Sequence, residues 1–372
     1  MSLLDYRTLG RSGLVVSPLA LGTMNFGAAR WGTDEPNSRA VLDRYLDAGG
    51  NMLDTADIYS GGRSEEMLGR FLADPGLRDR VVLATKSGFP RSDTDVSAGG
   101  NGARNIRLSL EGSLRRLRTD HVDLYWIHVW DRTTPPEEVL RTLTDLVRAG
   151  RILHYGFSNA PAWYVTRIAT LAQAHGLPVP IGLQYFYSLV DRGVELELVD
   201  AAAALGLGLV PWSPLAYGLL TGKYGREMLS RAGGPGSLPN RAASDDANEA
   251  AAGNASRDRL AGDNPFGGSL FTERNFALVD ELRAVAAELG RTPAECAIAW
   301  VAQRPGVSTT LVAASRIEQL DRNLSALDIR FTPDQLDRLD RISAPPAPFP
   351  YAIAGLPRSR IFGGHDVRPW RP

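Results

Sequence analysis

A single cysteine, Cys296, is all the thiol chemistry this chain carries. One cysteine excludes an intrachain disulfide and any cysteine-rich metal site. It lies in the Ala-rich helical pattern Glu295-Cys-Ala-Ile-Ala-Trp300, where a buried structural thiol is expected rather than a reactive one. No stretch of about 18 uncharged apolar residues occurs, so no membrane-spanning helix is expected. The opening residues, Met1-Ser-Leu-Leu-Asp-Tyr-Arg7, show no apolar run of the signal-peptide kind. Excess charge is missing too: 41 basic residues stand against 42 acidic ones, with no block of one sign. Nothing there predicts a nucleic-acid partner, an acidic partner or a membrane surface. The expectation is a soluble, cytoplasmic globular protein whose oligomeric state the sequence does not give. At ~150 residues per domain a chain of this length would divide, but barrels of this size run as one unit, and a single domain over residues 1–372 is expected.

What is present is alternation. Short apolar runs rich in Val, Ile and Leu recur, each followed by a helical pattern. They are Pro18–Gly22, Asn51–Asp54, Val81–Lys86, Val122–His128, Ile152–Ser158, Pro180–Gln184, Leu207–Trp212 and Val307–Val312. Near-continuous apolar runs suit strands covered on both faces, as in a parallel sheet. Between them, Pro135–Ala149 and Pro161–His175 read as helices, each followed by glycine, Gly150 and Gly176. Eight such units predict an α/β fold, a closed (β/α)8 barrel, with an open doubly wound sheet as the alternative. Three segments stand outside the repeat. Residues 6–16 read as a hairpin capping the N-terminal mouth of the barrel. Residues 222–275 are too long for a plain connection and read as a lid or a disordered loop. Residues 344–372 are too rich in proline for regular structure and long enough to fold over a pocket.

Four residues carry the chemistry. Asp54, Lys86 and His128 end successive strands, and Tyr59 lies in the loop after Asp54. The C-terminal edge of parallel barrel strands is where such folds place their active sites. A free tyrosine has a pKa of ~10; a neighbouring ammonium such as Lys86 favours the phenolate and lowers it. Asp54 would hold Lys86 charged and in place. His128 can offer an N–H to a substrate oxygen. Tyr59 is then a tuned general acid in reduction and a general base in oxidation. The set has no Ser or Cys nucleophile and no evident metal-ligand cluster, so electrons must come from a cofactor. Singly, each residue also reads as a salt bridge or as packing; together at consecutive strand ends they read as a site.

The run Gly49-Gly-Asn-Met-Leu-Asp-Thr-Ala-Asp-Ile-Tyr-Ser-Gly-Gly-Arg-Ser-Glu-Glu-Met-Leu-Gly69 resembles the signature of the aldo-keto reductases, as do Ala84-Thr-Lys86, Asp123-Leu-Tyr-Trp-Ile-His128 and Gly156-Phe-Ser-Asn159. The resemblance spans about Arg7 to Leu327 in the family's order. Trp130-Asp131 and Trp31–Glu35 resemble the branch of aryl-alcohol dehydrogenases and potassium-channel β-subunits. The resemblance implies a (β/α)8 barrel, bound NADPH and reduction of an aldehyde or ketone, with Tyr59 as acid, Lys86 and Asp54 in support and His128 orienting the carbonyl. The family's steroid double-bond reductases carry Glu in place of that His, so His128 implies carbonyl rather than C=C reduction.

For the cofactor, the resemblance implies contacts at Gly22, Thr23, Met24 and Asp54, with Ser158, Asn159 and Gln184 at the nicotinamide carboxamide and Trp212 stacked on its ring. Ser213, Pro214, Leu215, Gly218 and Lys223 would follow the pyrophosphate. Ser315 and Arg316 would take the 2′-phosphate, with Gln319 and Asn323 near the adenine; a helix N-terminus suits that anion. Ser315-x-x-Glu318 also reads as a capping box. The family more often has Gly where Ala313-Ala314-Ser315-Arg316 has Ala. An Arg and no acidic residue there favours NADP over NAD. No G-x-G-x-x-G occurs. Met24, Trp31, Phe89 and Trp130, with Phe349 and Tyr351 of the tail, are expected to line a pocket suited to an aryl or bulky carbonyl compound. Rival readings remain. A Schiff-base lysine is disfavoured by pairing with Asp54, and the facing carboxylates of a glycosidase are missing. A weakly active NADPH-binding regulatory subunit and a reductase of nucleotide-linked keto-deoxysugars stay open.

Overall fold

The computed structural model describes residues 1–29, 31–231 and 267–368. Eight parallel strands line up in chain order: β3 (Leu19–Gly22), β4 (Met52–Asp54), β5 (Val82–Ser87), β6 (Val122–Ile127), β7 (Ile152–Ser158), β8 (Gly182–Gln184), β9 (Gly208–Leu209) and β10 (Thr310–Val312), with β10 also pairing with β3. The last gap closes as well. Leu209 N donates to Gly306 O, Ser308 N to Leu209 O and Leu311 N to Pro211 O, each at 2.9 Å. The result is a (β/α)8 barrel.

Several strands are shorter than their apolar runs. The seventh run reaches Trp212, yet regular strand covers only Gly208 and Leu209, with Val210 N and Trp212 N still donating to Leu183 O at 2.7 Å and Tyr185 O at 2.9 Å. Pro211 has no N–H to give, so it takes part through its carbonyl alone. Pro180 likewise precedes the sixth strand. The helices between strands are α1 (Glu35–Asp47), α2 (Arg63–Phe71), α3 (Ala103–Leu117), α4 (Pro136–Arg148), α5 (Ala162–Ala174) and α6 (Leu198–Leu205). They continue with α7 (Gly267–Leu270), α8 (Glu273–Glu288), α9 (Pro293–Ala302), α10 (Ile317–Ser325) and α11 (Pro333–Ser343). Pro135 and Pro161 cap α4 and α5, and Gly150 and Gly176 follow them at φ +67° and +61°, the left-handed conformation that ends a helix.

Alternate strand residues point to opposite faces. Ala20, Met52, Val82, Ala84, Leu124, Trp126 and Val210 form one buried cluster, the barrel interior. Leu19, Leu21, Leu53, Leu83, Tyr125, Ile127, Phe157 and Leu183 pack outward with the helices. Two-sided burial is why the runs lack polar alternation.

The hairpin of β1 (Arg7–Thr8) and β2 (Val15–Val16) inserts Leu9, fully buried, and Val16 into the interior cluster. Arg11 N donates to Gly206 O at 2.7 Å and Gly10 N to Ser308 Oγ at 3.3 Å, both at strand beginnings. Gly10 (φ +57°) is obligatory, because a Cβ there would lie 2.6 Å from backbone atoms of Ile181, Gly206 and Gly208. The tail meets the barrel through Tyr351, which donates to Glu197 at 2.6 Å, while Phe349 is 81% exposed. Most of the segment expected as a lid, residues 232–266, lies outside the described residues. Cys296 is buried, and burial followed by the Glu295 charge pushes its thiol up to about 12. No helix among the described residues is long and apolar enough to cross a membrane.

Leu9→Ala should cost about 2–5 kcal/mol, the range for a buried leucine leaving a cavity. A urea-unfolding midpoint equal to wild type would show that the hairpin does not plug the barrel.

Candidate active site

Asp54 is the last residue of β4, Lys86 lies within β5 one residue from its end, and His128 follows β6 directly. The register sets Lys86 opposite Trp126. Lys86 is fully buried, and its ammonium has three protons to place. They go to Asp54 Oδ1, to Thr55 O at 2.7 Å and to Tyr59 Oη at 3.2 Å. The second oxygen of Asp54 accepts from Trp126 Nε1 at 3.1 Å and Gln184 Nε2 at 2.8 Å. Five side chains from four strands and one loop are thereby locked to one carboxylate and one ammonium. Burial alone would lower the Lys86 pKa; the charge of Asp54 and then Tyr59 outweigh it, leaving it raised from its usual 10.5.

His128 is 8% exposed. Its ring meets Phe89 edge-on at 4.8 Å and Tyr59 at 6.0 Å between centroids. Buried Nδ1 has no protein partner. Burial first, and the Lys86 charge second, hold the imidazole well below its usual 6.5, so it is neutral at physiological pH. The Asn159 amide donates to the His128 carbonyl at 2.9 Å and fixes the backbone on that side.

Beside the Lys86 backbone sits a group that the sequence pattern did not single out. Asp57 is buried, its N–H donates to Lys86 O at 3.2 Å, and Arg91 Nε stands 3.8 Å from its carboxylate. Burial, then Glu65, push its carboxyl up to about 7, against the pull of Arg91 and Arg116. The native state holds this proton more tightly than the unfolded chain. The group therefore erodes stability as pH rises from about 4 to about 7, and the cost stays level above that.

The residues expected at the cofactor fall into two groups. Several are spent inside the protein. Thr23 bonds the Asp54 carbonyl and Ser64, Ser158 Oγ receives the Asn159 amide, Gln184 holds Asp54, and the buried Asn323 amide donates to Ala313 O. Others stand at the surface of the strand-end face or beside it. Met24 is exposed, Gly22, Ser213, Leu215 and Gly218 are half-buried around the buried Pro214, and Lys223 lies over the Tyr224 ring at 4.9 Å. Trp212 stacks on Phe186 at 5.0 Å, with Tyr217 6.3 Å away. Trp126, Phe186 and Tyr217 were missed from sequence; alternation from His128 back to Trp126 was the signal that could have found the first.

One local reading is overturned. Ser315 and Glu318 form no capping box: the α10 N-cap is Arg316 without a side-chain bond, and Ser315 N and Oγ both donate to Gln319 Oε1. Glu318 also stands 3.9 Å from Arg316, so the turn is not free of acid, but both side chains are about 70% exposed and such a pair is weak. Of the expected pocket wall, Phe89 reaches His128, and Trp130 stands two residues beyond it with N–H to Asn159 O at 3.3 Å; Trp31 is half-buried.

Backbone strain gathers on the same face. Of the seven non-glycine residues with positive φ among the described residues, six (Ser60, Arg132, Asn159, Ser213, Ala216 and Tyr217) lie in loops after strand ends, and Arg118 ends a helix. Such conformations persist where surrounding contacts over-determine them, typically at functional sites.

A (β/α)8 barrel that gathers a carboxylate, an ammonium, a phenol and a neutral imidazole at its strand ends belongs among the oxidoreductase barrels. The sequence pattern of the Aldo/keto reductase family matches residues 18–344, and the chain belongs to that family and is an oxidoreductase. It is 35% identical over 347 residues to the uncharacterized oxidoreductase YrpG of Bacillus subtilis (strain 168), covering 91% of this chain and 96% of that one. A probable voltage-gated potassium channel subunit beta of Oryza sativa subsp. japonica is 34% identical with the same coverage. An aryl-alcohol dehydrogenase [NADP(+)] of Phanerodontia chrysosporium is 30% identical over 358 residues, 92% and 86% of the two chains. Members of the family generally use NADP(H) and reduce carbonyl groups.

The His128 shift has a direct readout. Among the histidine NMR resonances, the one lost in His128→Gln should not titrate between pH 8 and pH 6. A midpoint near 6.5 would mean that the imidazole is neither buried nor opposed by Lys86.

Proposed function

We propose that this chain reduces an aldehyde or ketone, aryl or otherwise bulky, to the alcohol with NADPH, and that Tyr59 is the general acid. The observation that carries the reading is the Lys86 ammonium, which spends its third proton on Tyr59 Oη beside a neutral His128. Bound NADPH supplies the hydride. The carbonyl oxygen then needs a proton and a stabilising donor. Tyr59 Oη gives the proton, and the Lys86 charge favours the phenolate left behind. His128, being neutral, offers an N–H to the oxygen as negative charge grows there without competing to protonate it. Trp126 and Gln184 act indirectly, by holding Asp54 so that Lys86 cannot turn away. Phe89 and Trp130 supply an apolar wall beside His128, which suits an aromatic carbonyl, in keeping with the name of the aryl-alcohol dehydrogenase relative.

The chain's own donors suit NADPH. Arg316 is an exposed guanidinium at the N-terminus of α10, where helix N–H groups and the cation together favour a phosphate. With Ser315 it would hold the 2′-phosphate, and Gln319 would lie nearer the adenine than Asn323, whose amide is already committed. Ser158, Asn159, Gln184 and Trp212 would bound the nicotinamide, Gly22, Thr23 and Met24 the strand end beside it, and Ser213, Pro214, Leu215, Gly218 and Lys223 the pyrophosphate. A nucleotide-linked keto-deoxysugar as substrate, or a weakly active NADPH-binding subunit, is the alternative.

Tyr59→Phe should keep NADPH binding and lower turnover of 4-nitrobenzaldehyde by about 100- to 10,000-fold, followed as loss of NADPH absorbance. Equal turnover in mutant and wild type removes Tyr59 as the acid; tight binding with no turnover in wild type favours the regulatory alternative. Arg316→Ala should weaken NADPH about tenfold or more, the worth of a hydrogen bond to a charged group, and NADH far less. An unchanged ratio of the two affinities moves the 2′-phosphate site elsewhere.

A further inference from the structure

Arg132 is an exposed cation at the edge of the candidate site. Its guanidinium carbon lies 5.9 Å from the centroid of the Trp130 ring, and among the described residues it has no carboxylate or hydrogen-bond partner. Its backbone is left-handed at φ +65°, a conformation a long side chain adopts only under constraint. The constraint is visible. Asp131 Oδ1 accepts from the N–H groups of Thr133 at 3.1 Å and Thr134 at 3.0 Å, and Oδ2 accepts from Thr134 Oγ1 and from Asn101 N at 2.8 Å. The Asn101 amide in turn donates to Val129 O at 2.7 Å. These bonds pin both sides of Arg132 and occupy the adjacent carboxylate, so Asp131 cannot neutralise its neighbour.

The ring under Arg132 is equally unusual. Trp130 stands edge-to-face with Trp163 at 5.6 Å, and Trp163 is 54% exposed on the first turn of α5. The buried Tyr164 supports both rings from below, at 6.1 Å and 5.5 Å. An indole on a helix surface that is half in water, beside a second indole two residues along the chain from His128, makes a rigid aromatic ledge past the end of β6. A cation stacked on such a ledge is attracted to the ring and keeps its N–H fork available for a planar anion.

We propose that Arg132 is a specificity-determining residue that selects aromatic carbonyl compounds bearing an acidic group, a carboxylate or phenolate, at the end remote from the carbonyl. The inference rests on the carbonyl-reductase reading above. The substrate's ring lies against Trp130, its carbonyl points to Tyr59 and His128, and its anionic end meets the Arg132 fork, a charge-assisted contact.

The test compares 4-nitrobenzaldehyde with two anionic aldehydes of different reach, 4-formylbenzoate and 4′-formylbiphenyl-4-carboxylate, in wild type, Arg132→Gln and Arg132→Lys. For at least one anionic aldehyde, the ratio of its kcat/KM to that of the neutral aldehyde should fall about tenfold in Arg132→Gln, through KM. Arg132→Lys should restore part of it. An unaltered ratio for both anionic aldehydes overturns the proposal. If wild type turns over none of the three, the reductase reading fails on its own account. Arg132 is then judged by tryptophan-fluorescence titration with terephthalate against terephthalamide. Tighter terephthalate binding that Arg132→Gln abolishes supports the anion site, and equal binding of both overturns it.

Discussion

The ion pair between Lys86 and Asp54 is the constraint on which the rest of the site depends. Both groups are buried at the centre of the strand-end face. A buried pair seldom gains much net stability, because desolvating two charges costs about what their attraction returns. Its contribution is therefore geometric. With one proton on Asp54 and one on the Thr55 carbonyl, the third has a single direction left, and Tyr59 Oη occupies it. Asp54 cannot rotate to release the lysine, since Trp126 and Gln184 hold its other oxygen. Those donors come from β6 and β8, so the orientation of one ammonium depends on the register of strands on several sides of the barrel.

Stability and the candidate site are kept at opposite ends of the strands. At the N-terminal mouth, Leu9 and Val16 close the interior with apolar contacts, and Gly10 lets backbones meet closely. At the C-terminal edge, loops carry residues with positive φ and buried groups whose protonation is shifted. Such strain is tolerable because the barrel beneath is packed on both faces. This polarity is general for the fold, and here it explains why the strained non-glycine residues, Arg118 apart, follow strand ends.

The fold and the four central residues were legible because their signals are local and repeated. Apolar runs mark strands whatever their neighbours do, and helix ends carry their own punctuation, as Pro135 with Gly150 and Pro161 with Gly176 do. Strand limits were less legible. The seventh run is regular strand only at Gly208–Leu209, yet beyond it Val210 and Trp212 still donate to Leu183 O and Tyr185 O, which a hydropathy pattern does not register. The second layer of the site was hidden for a different reason. Trp126 reads as one more apolar core residue, and only pairing across strands brings its indole N–H to Asp54. Gln184 was picked out, but as a group awaiting a ligand; a distant carboxylate had already claimed its amide. Ser315 was open to two local partners, and sequence favoured Glu318 where the folded turn chose Gln319. In each case a long-range or competing contact decided, and spacing along the chain carries no information about it.

The same lysine acts on both its neighbours, adding to burial at His128 and donating to the oxygen of Tyr59. Its charge opposes any proton arriving on His128, while it is drawn towards the oxygen of Tyr59. On the proposed reading, a site with two potential proton donors has one donor and one polariser, the separation of roles that shifted environments bring about in other active sites. Had His128 been cationic, it would compete with Tyr59 to protonate the carbonyl and would repel Lys86. Had Lys86 been neutral, a phenolate would have no counter-charge in a dry pocket. Asp54 excludes the second outcome and burial with Lys86 excludes the first, so on the proposed reading the direction of proton flow at Tyr59 follows from one buried charge pair and the water it keeps out.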